Sequence, residues 1–307
     1  MRTIARGASR RGHEAVAPVA VPVAAPADGF PATGIPSRRD LFTGLCILGF
    51  VNAVFASLSY RLVTDPAAAI GSLAGISVLI WIAMAVALHM VRRVSEGPAS
   101  MRDLLAAGAS LLLLALPPAP LNWLALTSIG LYLAVTGSAG SPERRAGMIV
   151  VALCVPMFWS KILMSTMSDV ILRFDATLAG LLLNTERTGN AVAFADGWGH
   201  FWVAPECSSL SNISIAVLCW IVLGQGVTDR RAPSFAYCVA AIVAVVTLNV
   251  ARLAMTGLSR AHYEVLHGPI GDFTFDFLSV AAMAAILALG WRRGGKAGRG
   301  SHHAALG

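Results

Sequence analysis

Residues 233–255 read PSFAYCVAAIVAVVTLNVARLAM, an apolar run with a single charged side chain, Arg252. A helix rising ~1.5 Å per residue crosses the hydrocarbon of a bilayer in roughly 20 such residues, so this stretch predicts a transmembrane helix. Similar runs predict spans near 41–60, 68–91, 103–117, 119–136, 147–168, 208–226 and 272–290, about eight with the first. The third of these ends at Pro117-Pro118-Ala119-Pro120, where rigid φ and missing N–H groups force a turn. A further apolar stretch, 170–184, has Asp169, Arg173 and Asp175 at helical spacing, which suits an interfacial or bundle-lining helix.

Composition carries the same message. The 307 residues are 56% hydrophobic and 13% charged, with a mean hydropathy of +0.71. Soluble domains carry about a quarter charged residues, so a water-soluble globule is excluded. The predicted fold class is an all-α polytopic membrane protein. Residues 1–40 hold Arg2, Arg6, Arg10 and Arg11, then an Ala/Val/Pro tract with a single aromatic, Phe30. Such a segment buries too little to offset its chain entropy and is expected to be a disordered cytoplasmic stretch. No apolar run follows those first arginines directly, which argues against a secretory signal. Residues 41–291 form the expected transmembrane domain, and 292–307 a basic, Gly-rich cytoplasmic tail.

Basic residues set the orientation, because Lys and Arg are retained on the cytoplasmic side of short loops. With the N-terminus inside, Arg92, Arg93 and Arg102, Arg144 and Arg145, Arg230 and Arg231, and the group from Arg292 to Arg299 all fall on that side. The net charge of +7 is therefore topogenic; scattered singly and in pairs, these residues make no face for nucleic acid. The protein is expected in the inner or plasma membrane, in contact with lipid.

One loop stands apart. Residues 185–206, TERTGNAVAFADGWGHFWVAPE, are polar, alternate in hydropathy and carry turn signals at Gly189-Asn190 and Asp196-Gly197. They predict a short extracytoplasmic β-hairpin-like loop. It leads to Cys207, which then starts a helix where amide dipoles favour a thiolate. Arg252 lies near the outer end of its span, a costly place for a guanidinium and so a functional candidate. His267, in the connection AHYEVLHGPIG, falls at the same outer level. His262 and His200 compete with it for a proton-transfer role. Cys46, Cys154, Cys219 and Cys238 lie inside spans without CxxC spacing and read as packing residues. There is no HExxH and no phosphate-cradling glycine loop, so neither cofactor nor metal is expected.

Three motifs in chain order resemble those of the exosortase/archaeosortase family of polytopic membrane cysteine proteases and transpeptidases. They are CSSL from Cys207, NVAR from Asn249 to Arg252, and HGPIG from His267 to Gly271, with Phe275 four residues beyond. The resemblance spans roughly residues 100–290. It departs from the family at Ser209, where glycine is usual, and at Glu206, where a small residue is common. The resemblance implies Cys207 as nucleophile, His267 as proton shuttle, and Arg252 as donor to an oxyanion or substrate carbonyl. It further implies exported protein substrates ending in a short motif, one transmembrane helix and a basic tail. Asp272 and Asp276 are candidates to orient His267. Two other classes fit a polytopic chain: a transporter with Arg252 as anion site, and a non-catalytic scaffold for surface-polymer export. Transport gives no reason to put a thiol and an imidazole at the level of the arginine.

Overall fold

The computed structural model describes residues 34–64, 76–226 and 233–303. Residues 36–307 form one unit; of the other, 1–35, only residues 34 and 35 are described. The N-terminal segment up to residue 33, the first third of the expected span 68–91, and Arg230-Arg231 lie outside the described residues.

The elements are α1 (Arg38–Thr64), α2 (Val78–Val91), α3 (Met101–Leu114), α4 (Ala119–Thr136) and α5 (Pro142–Cys154). A π turn (Val155–Trp159) leads to α6 (Ser160–Leu183), followed by β1 (Arg187–Thr188), β2 (Ala191–Ala193) and β3 (His200–Trp202). A 3-10 turn (Pro205–Cys207) precedes α7 (Ser209–Gly226), α8 (Phe235–Thr256), α9 (Arg260–Leu266) and α10 (Pro269–His303).

Helix starts follow local chemistry. The Ser37 hydroxyl accepts the Asp40 N–H at 3.0 Å, which draws α1 back to Arg38 rather than Leu41. Ser100 and Asp103 form a reciprocal capping box at α3, and Ser141 caps α5 with Pro142 at its first position. α6 ends at Asn184, whose φ of 53° is left-handed. α10 runs on through the basic segment to His303.

Among the described residues, four helical stretches are long and apolar enough to cross a membrane: Pro142–Leu183, Ser209–Gly226, Phe235–Thr256 and Pro269–Arg293. Val78–Val91 and Pro120–Thr136 are shorter apolar helices. Side chains such as Leu112, Val135 and Val243 point outward, exposed by 72%, 75% and 58%. Apolar surface of that extent is stable against lipid rather than water. The chain is an all-α membrane protein with one small sheet.

The expected break between a span at 147–168 and a separate helix at 170–184 is absent. Pro156, which has no N–H to donate, is accommodated by the π turn, and Ser160 Oγ donates to the Pro156 carbonyl at 3.0 Å. Met167 (φ −128°, ψ 23°) kinks the helix without ending it. The 42 residues of Pro142–Leu183 reach ~63 Å, about twice the hydrocarbon thickness, so this helix runs well past one crossing.

α4 and α5 approach backbone to backbone. A Cβ on Gly147 would lie 2.4 Å from the Ala134 nitrogen and from the Gly130 oxygen, so only glycine fits. Around this seam Phe42, Leu126, Ile129, Leu133, Ile149 and Leu153 are buried. At one end of these helices Asp103 accepts from Arg38 Nε and from the Tyr132 hydroxyl, each at 2.9 Å, tying α1, α3 and α4. A second core joins α7, α8 and α10 through Ala216, Ala241, Val245, Met283 and Leu287.

Where a hairpin is predicted over 185–206, three short strands form an antiparallel sheet in the order β1-β2-β3. The turn glycines adopt positive φ, 63° at Gly189 and 77° at Gly197. Val192, Phe194, Phe201 and Val203 bury one face of this unit against Leu172, Ala176 and Ala179 of α6 and Leu253 of α8.

Candidate active site

The segment from Cys207 to Ser209 is held from two sides. On α6, Asp175 is 1% exposed, and its carboxylate accepts the Ser209 N–H at 3.0 Å and the Ser209 hydroxyl at 2.7 Å. On α8, the Asn249 amide donates to the Cys207 carbonyl at 2.9 Å and to Ser209 Oγ at 3.0 Å. Asn249 and Arg252 are three apart, on one helical face, so the residue that seats the cysteine loop also places the guanidinium. Ser209 stands where the resembled family has glycine, and its hydroxyl joins the two clamps.

The Cys207 Sγ lies 3.8 Å from His267 Nε2. His267 caps the C-terminus of α9, and its ring stacks on Tyr263 with centroids 4.1 Å apart and planes at 16°. Tyr263 in turn meets Phe194 of the sheet unit edge-on. The histidine is thus fixed by aromatic packing. Its Nδ1 is buried with no hydrogen-bond partner among the described residues. Asp272 is paired with Arg252 instead, and no hydrogen bond joins Asp276 to the ring, so neither aspartate takes the orienting place expected for it. His262 Nδ1 is 2.8 Å from the Ser259 hydroxyl that caps α9, and His200 sits exposed on β3. Of the three histidines weighed from sequence, His267 meets the thiol.

Gly271 explains the spacing of HGPIG. A Cβ there would come within 2.5 Å of the Leu266 Cα and carbonyl oxygen, backbone atoms that cannot yield. The close approach presses the end of α9 onto the first turn of α10 and sets the height of His267. Gly271→Ala is expected to displace the imidazole and slow labelling of Cys207 by a substrate-like electrophile about 100-fold, the scale of an ångström-sized misplacement. Labelling at the wild-type rate would show that the glycine has no such role.

Arg252 Nη2 donates to the Leu266 carbonyl at 3.3 Å and pairs with Asp272. Thiol and imidazole are therefore in contact, while the guanidinium adjoins through the residue preceding the histidine. Two clefts flank this cluster. One of about 540 Å³ is lined by Pro205, Glu206, Leu210 and Ser211 facing Ser160, Lys161 and Met164 of α6. The other, about 380 Å³, is lined by Ser211 and Asn212 facing Asp276 and Ser279. The three side chains themselves line neither of these two clefts.

Electrostatics reverse one expectation. Burial pushes the Cys207 thiol above its ordinary 9.0, against the pull of Arg252; Glu206 and Asp272 add to the rise. The favourable start of α7 is already used, by the Asp175 carboxylate on the Ser209 N–H and by Ser208 Oγ on the Leu210 N–H. Burial, with Arg252, holds His267 below its ordinary 6.5, although Asp272 opposes this. Both shifts favour the uncharged forms, a protonated thiol beside an unprotonated imidazole.

Fold and site together define an α-helical membrane protein with a half-buried Cys–His contact and an adjoining arginine. Compared with family models, with curated proteins and with solved structures, the chain finds no match.

Proposed function

We propose that this protein is a membrane-embedded cysteine peptidase or transpeptidase that removes the C-terminal sorting tail of exported proteins. The observation that carries the reading is the 3.8 Å contact between Cys207 Sγ and His267 Nε2, made across 60 residues of sequence. In this reading about eight spans, set by the apolar runs, leave both tails in the cytoplasm and the cysteine at the extracytoplasmic face of the inner membrane. The sheet unit of β1 to β3 is then the extracytoplasmic loop.

His267 Nε2 takes the thiol proton as Sγ attacks the scissile carbonyl, so His267 becomes cationic only in the course of reaction. The guanidinium of Arg252, whose partners among the described residues both sit on Nη2, supplies the remaining N–H donors to the oxyanion. Collapse breaks the C–N bond, and His267 returns its proton to the departing amine. The acyl-thioester is released by water or by an acceptor amine, which regenerates the thiol.

A peptidyl vinyl sulfone is the direct test. It is expected to add to Cys207 and to none of Cys46, Cys154, Cys219 or Cys238, as mass spectrometry of the digested protein would reveal. The pH dependence has a defined sign. Only unprotonated His267 can accept the thiol proton, and its affinity for a proton is lowered. Addition should therefore fall in acid solution with a midpoint below 6.5. A midpoint above 6.5, or an adduct on another cysteine, removes the basis of the assignment.

A further inference from the structure

The small sheet, which the chain leaves a few residues before the cysteine, has an open edge. In the β2–β3 ladder Val192 pairs with Phe201, and the flanking bonds run from the Phe194 N–H to the Gly199 carbonyl and from the Val203 N–H to the Asn190 carbonyl, both at 2.9 Å. Antiparallel strands alternate, so Gly199, Phe201 and Val203 turn their main-chain groups toward β2, while His200 and Trp202 turn theirs away. Among the described residues no other strand pairs with β3, the last strand of the order β1-β2-β3. Among the described residues no hydrogen bond reaches the N–H or C=O of His200 or Trp202. Four aligned main-chain groups are thus free, and the Trp202 ring stands beside them 68% exposed.

We infer that the free edge of β3 is a docking strand for an extended peptide segment, which pairs with His200 and Trp202 and is led from there to Cys207. The occupant follows from hydrogen-bond valence. Donors and acceptors repeating on every second residue of a strand edge are matched by another extended backbone. A lipid headgroup or a solute offers no such series. Position adds the second constraint. Cys207 lies five positions beyond Trp202, at most about 18 Å of extended chain, and the 3-10 turn at Pro205–Cys207 shortens it. A peptide of about five residues paired to the edge is long enough to span that separation. Main-chain pairing is tolerant of side chains, so recognition of particular residues falls to the clefts lined by Glu206 and Asp276 on either side.

That the docked peptide is a substrate rests on the peptidase reading; the docking itself does not. Hydrogen exchange on the full-length Cys207→Ala protein in nanodiscs separates the two, because it needs no turnover. The probe is a synthetic peptide of alternating Thr and Val joined to a leucine-rich transmembrane segment and a tetra-arginine end. The amides of His200 and Trp202 are expected to exchange at least about fivefold more slowly with the probe, the worth of one hydrogen bond, while Phe201 and Val203, already paired to β2, do not change. Trp202→Pro removes an edge N–H without touching the ladder and should weaken probe binding about fivefold, whereas Trp202→Ala, which keeps the N–H, should weaken it less. Unchanged exchange at 200 and 202 overturns the inference. So does protection that grows with protein concentration without probe, which would mark the edge as a contact between two copies. Edge protection in this variant, together with no vinyl sulfone adduct at Cys207 of the parent protein, would retain the docking strand and remove the peptidase.

Discussion

Cys207→Ala is expected to leave the tail of an exported substrate attached, with turnover lowered at least about 10⁴-fold. Alanine keeps the small apolar volume beside His267 but removes the sulfur that forms the acyl bond in the proposed mechanism. The clamps do not depend on the thiol: Asn249 holds the Cys207 carbonyl, and Asp175 holds Ser209. The variant should therefore fold as the parent does, and the loss should appear as accumulation of full-length substrate on an immunoblot. Cys219→Ala and Cys238→Ala, in α7 and α8 away from the His267 contact, should cleave at the parental rate. Normal tail removal by Cys207→Ala would place this protein among scaffolds or transporters.

The second large effect is expected at a residue that makes no contact with the thiol. Asp175→Ala strands the Ser209 N–H and hydroxyl, two donors in a buried place, at a cost of about 1–3 kcal/mol each. The resulting fall in thermal stability should be several degrees. The loss spreads, because Ser209 Oγ also accepts from Asn249, and Asn249 fixes the Cys207 carbonyl. Vinyl sulfone addition should slow by about 100-fold even at temperatures where the variant is fully folded. Asp175→Asn, which keeps one acceptor oxygen, should lie between the two. A variant that melts early but labels at the normal rate when folded would reduce Asp175 to a packing residue.

The clamp shows where local reading stops. Asp175 is visible in the sequence as an acid in an apolar stretch, and Asn249 as the head of NVAR, yet neither carries a local sign of its partner. Ser209 looks like a departure from a glycine pattern. It becomes the junction of two hydrogen bonds only when α6 and α8 meet across it. The direction of the Cys207 shift is likewise invisible locally. A cysteine before a helix suggests an activated thiol, but the amides that would activate it are already bonded to Asp175 and Ser208, and burial prevails.

Membrane embedding, the candidate residue types and the turns at Gly189 and Gly197 follow from the sequence alone, because span length, apolarity and positive φ are properties of a few neighbouring residues. The motif HGPIG singled out His267 among the histidines; the tertiary structure decided that its ring meets the sulfur, why glycine lies four residues beyond it, and that Pro156 lets α5 run on into α6. Those outcomes depend on contacts between groups tens of residues apart and on atoms pressed to within 2.5 Å, and no periodicity along the chain encodes such distances.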